Sequence, residues 1–333
     1  MCRLGRRLVY VLALVAIFAA FAGTLVGCSL SGGGSPAAKG AVRVAYAGSL
    51  VNLMEHTLGP DFSKATGYGY QGQGAGSTAL ANQIKSRLIQ PDVFISASAK
   101  AYTPLEGAAN GALVNWRINF GATAMVIGYS AQSHFATQLQ AAADGATPWY
   151  QVLQSPGLRL GRTDPKLDPK GVNTIYTLEL AETYYHQPGL TKAILGDAEN
   201  AAQIFPEETL VARLTSGQLD AGFFYQNEVT DAHLSVITLP NAINLSDSAL
   251  KGAYAQVSYT AADGAVQHGA PIIYSVTILA NARNTAGAVA FVQYLLGSSG
   301  QDILHSDGIL ATPFTFTGDA SKLPTGLSQY GKG

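Results

Sequence analysis

Two junctions in this chain place a hydroxyl where backbone donors come free. Gly48-Ser49-Leu50 follows the apolar run Val42–Ala47, and Gly76-Ser77-Thr78 opens a segment with helical spacing that reaches Ile89. The first amides of a helix have no intrahelical acceptor, and the positive end of the helix dipole lies behind them. Such a junction therefore stabilises an anion without a full positive charge. Ser is also a good N-cap in any helix, so either junction alone reads more simply as a cap. Paired Gly-Ser turns on successive strand-to-helix junctions raise the binding reading to equal standing.

A third junction, Thr163-Asp164-Pro165-Lys166-Leu167-Asp168-Pro169-Lys170-Gly171, precedes a long helical segment running to about Tyr185. Its Asp-Pro pairs are also what a Pro-fixed helix start with an Asp cap requires. Tyr225, Asn227 and Glu228 follow the strand Ala221–Phe224. A Tyr in that place ordinarily packs at the core edge, and an acid at a helix start is ordinarily solvated.

The chain of 333 residues is 47% hydrophobic and 12% charged, with 20 basic and 21 acidic residues and two cysteines; an average chain is about 25% charged. This excludes a disordered chain, a basic nucleic-acid binder and a disulfide-stapled miniprotein. With ionic groups so scarce, recognition is expected to rest on hydroxyls, amides and backbone dipoles. Catalysis by Ser49 or Ser77 would need a base. The six histidines, His56, His134, His186, His233, His268 and His305, show no triad or metal-ligand spacing. His56 is nearest Ser49 in sequence but falls on a helix that points away from the junction, so the expectation is a binding protein rather than an enzyme.

Arg3, Arg6 and Arg7 precede an uncharged apolar stretch from Leu8 to Val26, then Gly27, Cys28 and a Gly/Ser-rich run to Pro36. This pattern is a secretory signal, and Leu25-Val26-Gly27-Cys28 resembles a bacterial lipobox, in which Cys28 is lipidated after cleavage. A membrane-spanning anchor is the alternative, since the run is almost long enough. The flexible tether behind Cys28 favours the lipoprotein. Cleavage removes three basic residues and no acids, leaving a formal charge of −4. It also removes Cys2, so Cys28 stands alone and neither an intramolecular disulfide nor a Cys-ligated metal is expected.

From Ala41 onward short apolar strands alternate with amphipathic helices. Strand Val42–Ala47, helix Leu50–Lys64, an extended segment from Tyr68, helix Ser77–Ile89 and strand Asp92–Ser96 make a βαβαβ unit and hence a parallel sheet under helices. Further strands are expected at 122–129, 158–162, 221–225 and 271–279, and helices at 171–185, 207–216 and 286–296. The expected organisation is a signal peptide over 1–27 and a lipidated Cys with tether over 28–40. Lobe 1 takes 41–121 with 281–333, and lobe 2 takes 122–280. In a parallel sheet the Gly-Ser junctions lie at the carboxyl edge, where ligands usually bind.

Taken in order, the segments resemble the molybdate/tungstate-binding proteins of ABC importers. They are Ala47-Gly48-Ser49-Leu50, Gly76-Ser77-Thr78-Ala79-Leu80-Ala81-Asn82-Gln83-Ile84, Pro91–Ala97, Gly161–Pro165 through Asp168–Gly171, and Ala221–Tyr225. Leu239–Asp247 and Gly269–Tyr274 look especially like the tungstate-type branch. The resemblance covers nearly all of Val42 to Pro313. It implies a two-lobed α/β periplasmic-binding-protein-like fold of type II, each lobe a mainly parallel sheet flanked by helices, with the ligand between the lobes. It implies that Ser49 and Ser77 donate to the oxyanion from lobe 1. Asp168 to Gly171, Lys170 among them, would supply backbone N–H from the helix start in lobe 2, and Tyr225 would offer a phenolic donor. Two carboxylates can additionally approach the metal in the tungstate-type branch. Asp168 matches one of them; where the second is expected this chain has Phe224, and Glu228 is the nearest acid. The implied ligand is molybdate or tungstate, with no cofactor. The implied partners are a permease with its ATPase, and the membrane through lipid on Cys28, the protein standing as a monomer outside the cell membrane. Sulfate or thiosulfate binding, or anion sensing without transport, are the alternatives left open.

Overall fold

The computed structural model describes residues 39–261 and 264–331; the signal segment and Cys28 lie outside them. Strands β1 (Ala41–Ala47), β2 (Gly69–Ala75) and β3 (Val93–Ser96) run parallel, with β1 in the middle. The Ser77–Lys85 helix connects β2 to β3 and turns Leu80, Ala81 and Ile84 inward, one stripe at helical spacing. The first sheet is completed by β4 (Trp116–Ala122), with β11 (Ile273–Ile278) and β12 (Thr315–Gly318), in the order β12-β4-β11-β3-β1-β2.

The second sheet contains β5 (Met125–Tyr129), β6 (Leu160–Gly161), β7 (Ala221–Tyr225) and β8 (Ser235–Thr238), ordered β6-β7-β5-β8. Only β6 and β7 are parallel there; β5 pairs antiparallel with both neighbours. Both sheets are therefore mixed, where the resemblance implied mainly parallel ones. Part of the reason is that β4 carries the chain out to the second sheet and β11 brings it back, so the two crossing strands oppose each other. β11 falls inside the 122–280 stretch expected for lobe 2, yet it is hydrogen-bonded between β3 and β4 in the first sheet. A small hairpin, β9 (Ser258–Thr260) with β10 (Val266–His268), forms a sheet of its own, and its β10 carbonyls accept from Tyr176 and Lys100.

Buried acids fasten the frame. The Asp92 carboxylate accepts from the amides of Arg43, Arg283 and Asn284, tying β1 to the start of the Thr285–Leu296 helix. Asp220 accepts from the Arg159 backbone and guanidinium and from the Ser133 hydroxyl.

Asp307, just beyond the Ser298–Ser306 helix, faces Asp231 at the end of the Gln226–Asp231 helix. Burial, then the charge and hydrogen bond of Asp231, push the Asp307 carboxyl up to about 8. An unfolded chain releases that proton near pH 4. The group's contribution to stability is thus fully present below about pH 4 and is lost as pH rises through about 8. Asp307→Asn keeps the shape without the titration. Its melting temperature is expected to exceed that of the parent increasingly between pH 5 and pH 9, as read by a thermal-melt series; an offset that is flat across this range would contradict it.

Candidate functional site

Ser49 sits on the short turn Gly48–Leu50 that ends β1, and it is buried. Its hydroxyl shares a 2.9 Å hydrogen bond with the Tyr274 phenol, and its carbonyl accepts from the Asn227 side chain at 2.7 Å. Asn227 in turn accepts from Thr123 at 3.0 Å and from Tyr274 at 3.2 Å. Ser77 opens its helix fully buried. Its oxygen accepts from the Ala97 amide at 3.3 Å, which leaves its own proton available to another acceptor.

Asp168 caps the Pro169–Tyr184 helix, accepting from the Lys170 amide at 2.9 Å. This helix start meets that of Ser77 directly, because the Ala79 amide donates to the Leu167 carbonyl at 2.9 Å. Glycine is required at position 76 by this approach: a Cβ there would lie 2.6 Å from the Leu167 carbonyl oxygen and 2.9 Å from the Asp168 Cβ. Two helix N-termini, one borne by each sheet, therefore start side by side.

Behind them lies a buried charge cluster. The Lys170 ammonium, inaccessible to solvent, is 2.6 Å from Glu228 and 3.3 Å from Glu207. Burial opposes its charge, but Glu228, Glu207 and Asp168 more than offset this and hold the lysine above its usual range. Burial raises Asp168 to about 6 against the pull of Lys170, and it raises Glu207 well above the ordinary carboxylate range, with Asp168 adding to the effect. Glu228 is fully engaged, since its second oxygen accepts from the Tyr225 amide at 2.7 Å. The Tyr225 phenol accepts from Asn173 at 3.0 Å; burial keeps it protonated, so its proton is free to be donated.

Ser77, Asp168, Lys170, Tyr225 and Glu228 are thus gathered in one region, and Ser49 joins them through its neighbour Gly48, which lies against Glu207. The Lys170 and Gly171 amides, implied as donors to the ligand, are directed to Asp168 instead, onto its side chain and its carbonyl respectively. Gly171 has a packing reason for its identity: a Cβ would fall 2.6 Å from the Thr163 carbonyl oxygen.

Sequence reasoning missed Glu207, Asn173 and Tyr274. A signal for Glu207 exists, because it shares a helix face with Leu210 and Leu214, the buried stripe of the Glu207–Thr215 helix, while Glu208 is exposed. An acid on an apolar stripe is the cue. Beside the site opens a groove of about 880 Å³, with Thr78 and Ala97 on one wall and Pro169 and Asn173 on the other. Lys85, Lys100, Arg117 and Lys166 line it, and among its described lining residues none is acidic.

Comparison with known proteins gives a concordant picture. The profile of a family described as bacterial extracellular solute-binding protein matches residues 42–310. A putative ABC transporter molybdenum-binding protein of Haloferax volcanii is 33% identical over 268 residues, covering 80% of each chain. A molybdate/tungstate-binding protein of Thermococcus kodakarensis is 27% identical over 270 residues, 74% of each chain. Among solved structures, the periplasmic molybdate-binding protein of Azotobacter vinelandii superposes with a TM-score of 0.53 at 18% identity, over 82% of this chain and all of that one. At that identity the likeness speaks for the fold alone.

Proposed function

The chain belongs to the bacterial extracellular solute-binding protein family, and from that premise we propose that it captures molybdate or tungstate between two lobes and delivers it to an ABC importer. The observation carrying this reading is the meeting of two helix starts, at Ser77 and at Asp168, across the Gly76 contact. A dianion leaving water loses strong hydration and needs several aimed donors to replace it. Ser77 and Tyr225 supply hydroxyl donors, Ser49 adds a third once its proton turns from the Tyr274 oxygen to the anion, and the helix dipole at Ser77 adds its positive end. Asp168 keeps one oxygen without a hydrogen bond, Oδ2. A sulfate would be repelled by it, whereas a metal centre that expands its coordination accepts it as a further oxygen ligand. The names borne by the Haloferax and Thermococcus relatives point to the same cargo.

In this reading lobe 1 binds first through its two serines, lobe 2 closes over the anion, and the closed form is what the permease recognises. Cys28 carries the lipid that keeps the protein at the outer face of the membrane, and lobe 2 gives way to lobe 1 ahead of β11 instead of at the expected residue 280.

The test is a thermal-shift and calorimetric panel over molybdate, tungstate, sulfate, thiosulfate and phosphate, since a ligand that binds only the native state raises the melting temperature. Molybdate and tungstate should stabilise most; a larger effect of sulfate or phosphate would overturn the assignment. Within that panel Ser77→Ala is expected to weaken oxyanion binding by about 1–3 kcal/mol with the fold intact. Unchanged affinity would remove Ser77 from the site.

A further inference from the structure

We infer that the groove beside the site is the route by which the dianion arrives, and that Lys85 and Lys100 set how fast it does so; the inference rests on the function proposed above. Four residues lining the groove are already joined to the site. Thr78 follows Ser77, and the Ala97 amide donates to the Ser77 oxygen. On the other wall Pro169 follows Asp168, and the Asn173 side chain donates to the Tyr225 phenol. Ser77, Asp168 and Tyr225 are themselves buried. An ion that reaches these walls is one residue away from the site donors.

Charge is distributed unevenly around this route. The whole chain carries 21 acids against 20 bases, so its mean field does not attract an anion. The groove gathers four of those bases and, among its described lining residues, no acid. The four are not equivalent. Arg117 is bound to Glu106 at 2.7 Å and Lys166 to Glu199 at 2.6 Å, which largely cancels those two charges where they stand. Lys85 and Lys100 instead donate to neutral acceptors, the Asn110 side-chain oxygen at 3.1 Å and the His268 carbonyl at 2.7 Å. A bond to a neutral oxygen leaves the positive charge in place. A cleft lined by one sign of charge between low-dielectric walls focuses its field and raises the local concentration of the opposite ion. This attraction acts before contact is made, so it belongs to association and leaves retention to the site itself.

The experiment uses the full chain as parent and the double variant Lys85→Gln/Lys100→Gln. The control is Lys192→Gln/Lys251→Gln, which removes the same charge from exposed lysines outside the groove lining. Association of molybdate is followed by stopped-flow protein fluorescence over a series of sodium chloride concentrations, with Kd from calorimetry. At low salt the association rate of the groove variant is expected to fall about tenfold, with Kd rising by the same factor and the dissociation rate unchanged. The control should stay close to the parent, and added salt should slow the parent more than the groove variant. An association rate equal to the parent's, or a fall shared by the control, overturns the inference. Faster dissociation with association unchanged overturns it as well, because the lysines would then be closing contacts. A parent that takes up sulfate or phosphate in place of molybdate and tungstate refutes the proposed function alone, and the same rate series run with that dianion then tests the groove.

Discussion

Lys170→Met is expected to lower the stability of the protein by about 3–5 kcal/mol, a fall in melting temperature of roughly 10 °C for a chain of this size. The substitution is nearly isosteric, so little packing is lost. What is lost is, among the described residues, the one ammonium in contact with Glu228 and Glu207, both buried and the former hydrogen-bonded to it at 2.6 Å. Removing one member of a buried ion pair leaves the other uncompensated, and here the remainder is a cluster of acids. The loss should depend on pH in a defined direction. Without the lysine the Asp168 and Glu207 carboxyls rise further above their unfolded values, so their contribution is retained at low pH and disappears as pH climbs through the raised values. Asp168 already stands at about 6 with the lysine present. The gap between variant and parent should accordingly be wider at pH 8 than at pH 5, as read by urea unfolding at both. A gap under about 1 kcal/mol, the range of an exposed pair, would show that the cluster is solvated.

Gly76→Val addresses closure instead of stability. The added branches must occupy the space of the Leu167 carbonyl and the Asp168 side chain, at 2.6 and 2.9 Å from the first new carbon. Neither obstacle is the end of a flexible side chain, so the two helix starts must separate. Overpacking of this kind costs about 3 kcal/mol in the closed state, or roughly 100-fold in oxyanion affinity. An open arrangement relieves the clash, so the thermal melt without ligand should move much less than the calorimetric affinity. Equal affinity in variant and parent would mean that Gly76 does not face the opposite helix start when the ligand is held.

The sequence made the first parallel unit readable because apolar runs and Gly-Ser turns alternate in local order: β1, the Ser77 helix and β3 fall where periodicity puts them. β4 was missed although Trp116, Ile118 and Phe120 alternate inward along it; the residues between are Arg117 and Asn119, and the polar alternation is short. Placement of β11 in the first sheet could not be read, since a strand's neighbours 150 residues away leave no mark in its own composition. Among the candidate residues, Ser49, Ser77, Asp168 and Tyr225 are named by order and spacing, and the fold gathers them in one region. Lys170 was noted for its backbone, and its side chain turned out to be the buried cation. The burial of Glu207 is legible in its place on the Leu210 and Leu214 stripe, whereas the groups it meets there are a tertiary fact. Glu228 was legible as an acid in the right region, but its engagement with Lys170 and the Tyr225 amide is a tertiary fact.

The single amide of Asn227 has a consequence for how the two sheets are joined. It clasps the carbonyl of Ser49 while receiving the hydroxyls of Thr123, on the crossing between sheets, and Tyr274, on the returning strand. The Ser49 turn and both crossings are thereby fastened by one knot. Loosening any one of these bonds leaves the others short of a partner in a dry interior, where partial release is penalised, so the Ser49 turn and the two crossing strands are expected to hold or give way together.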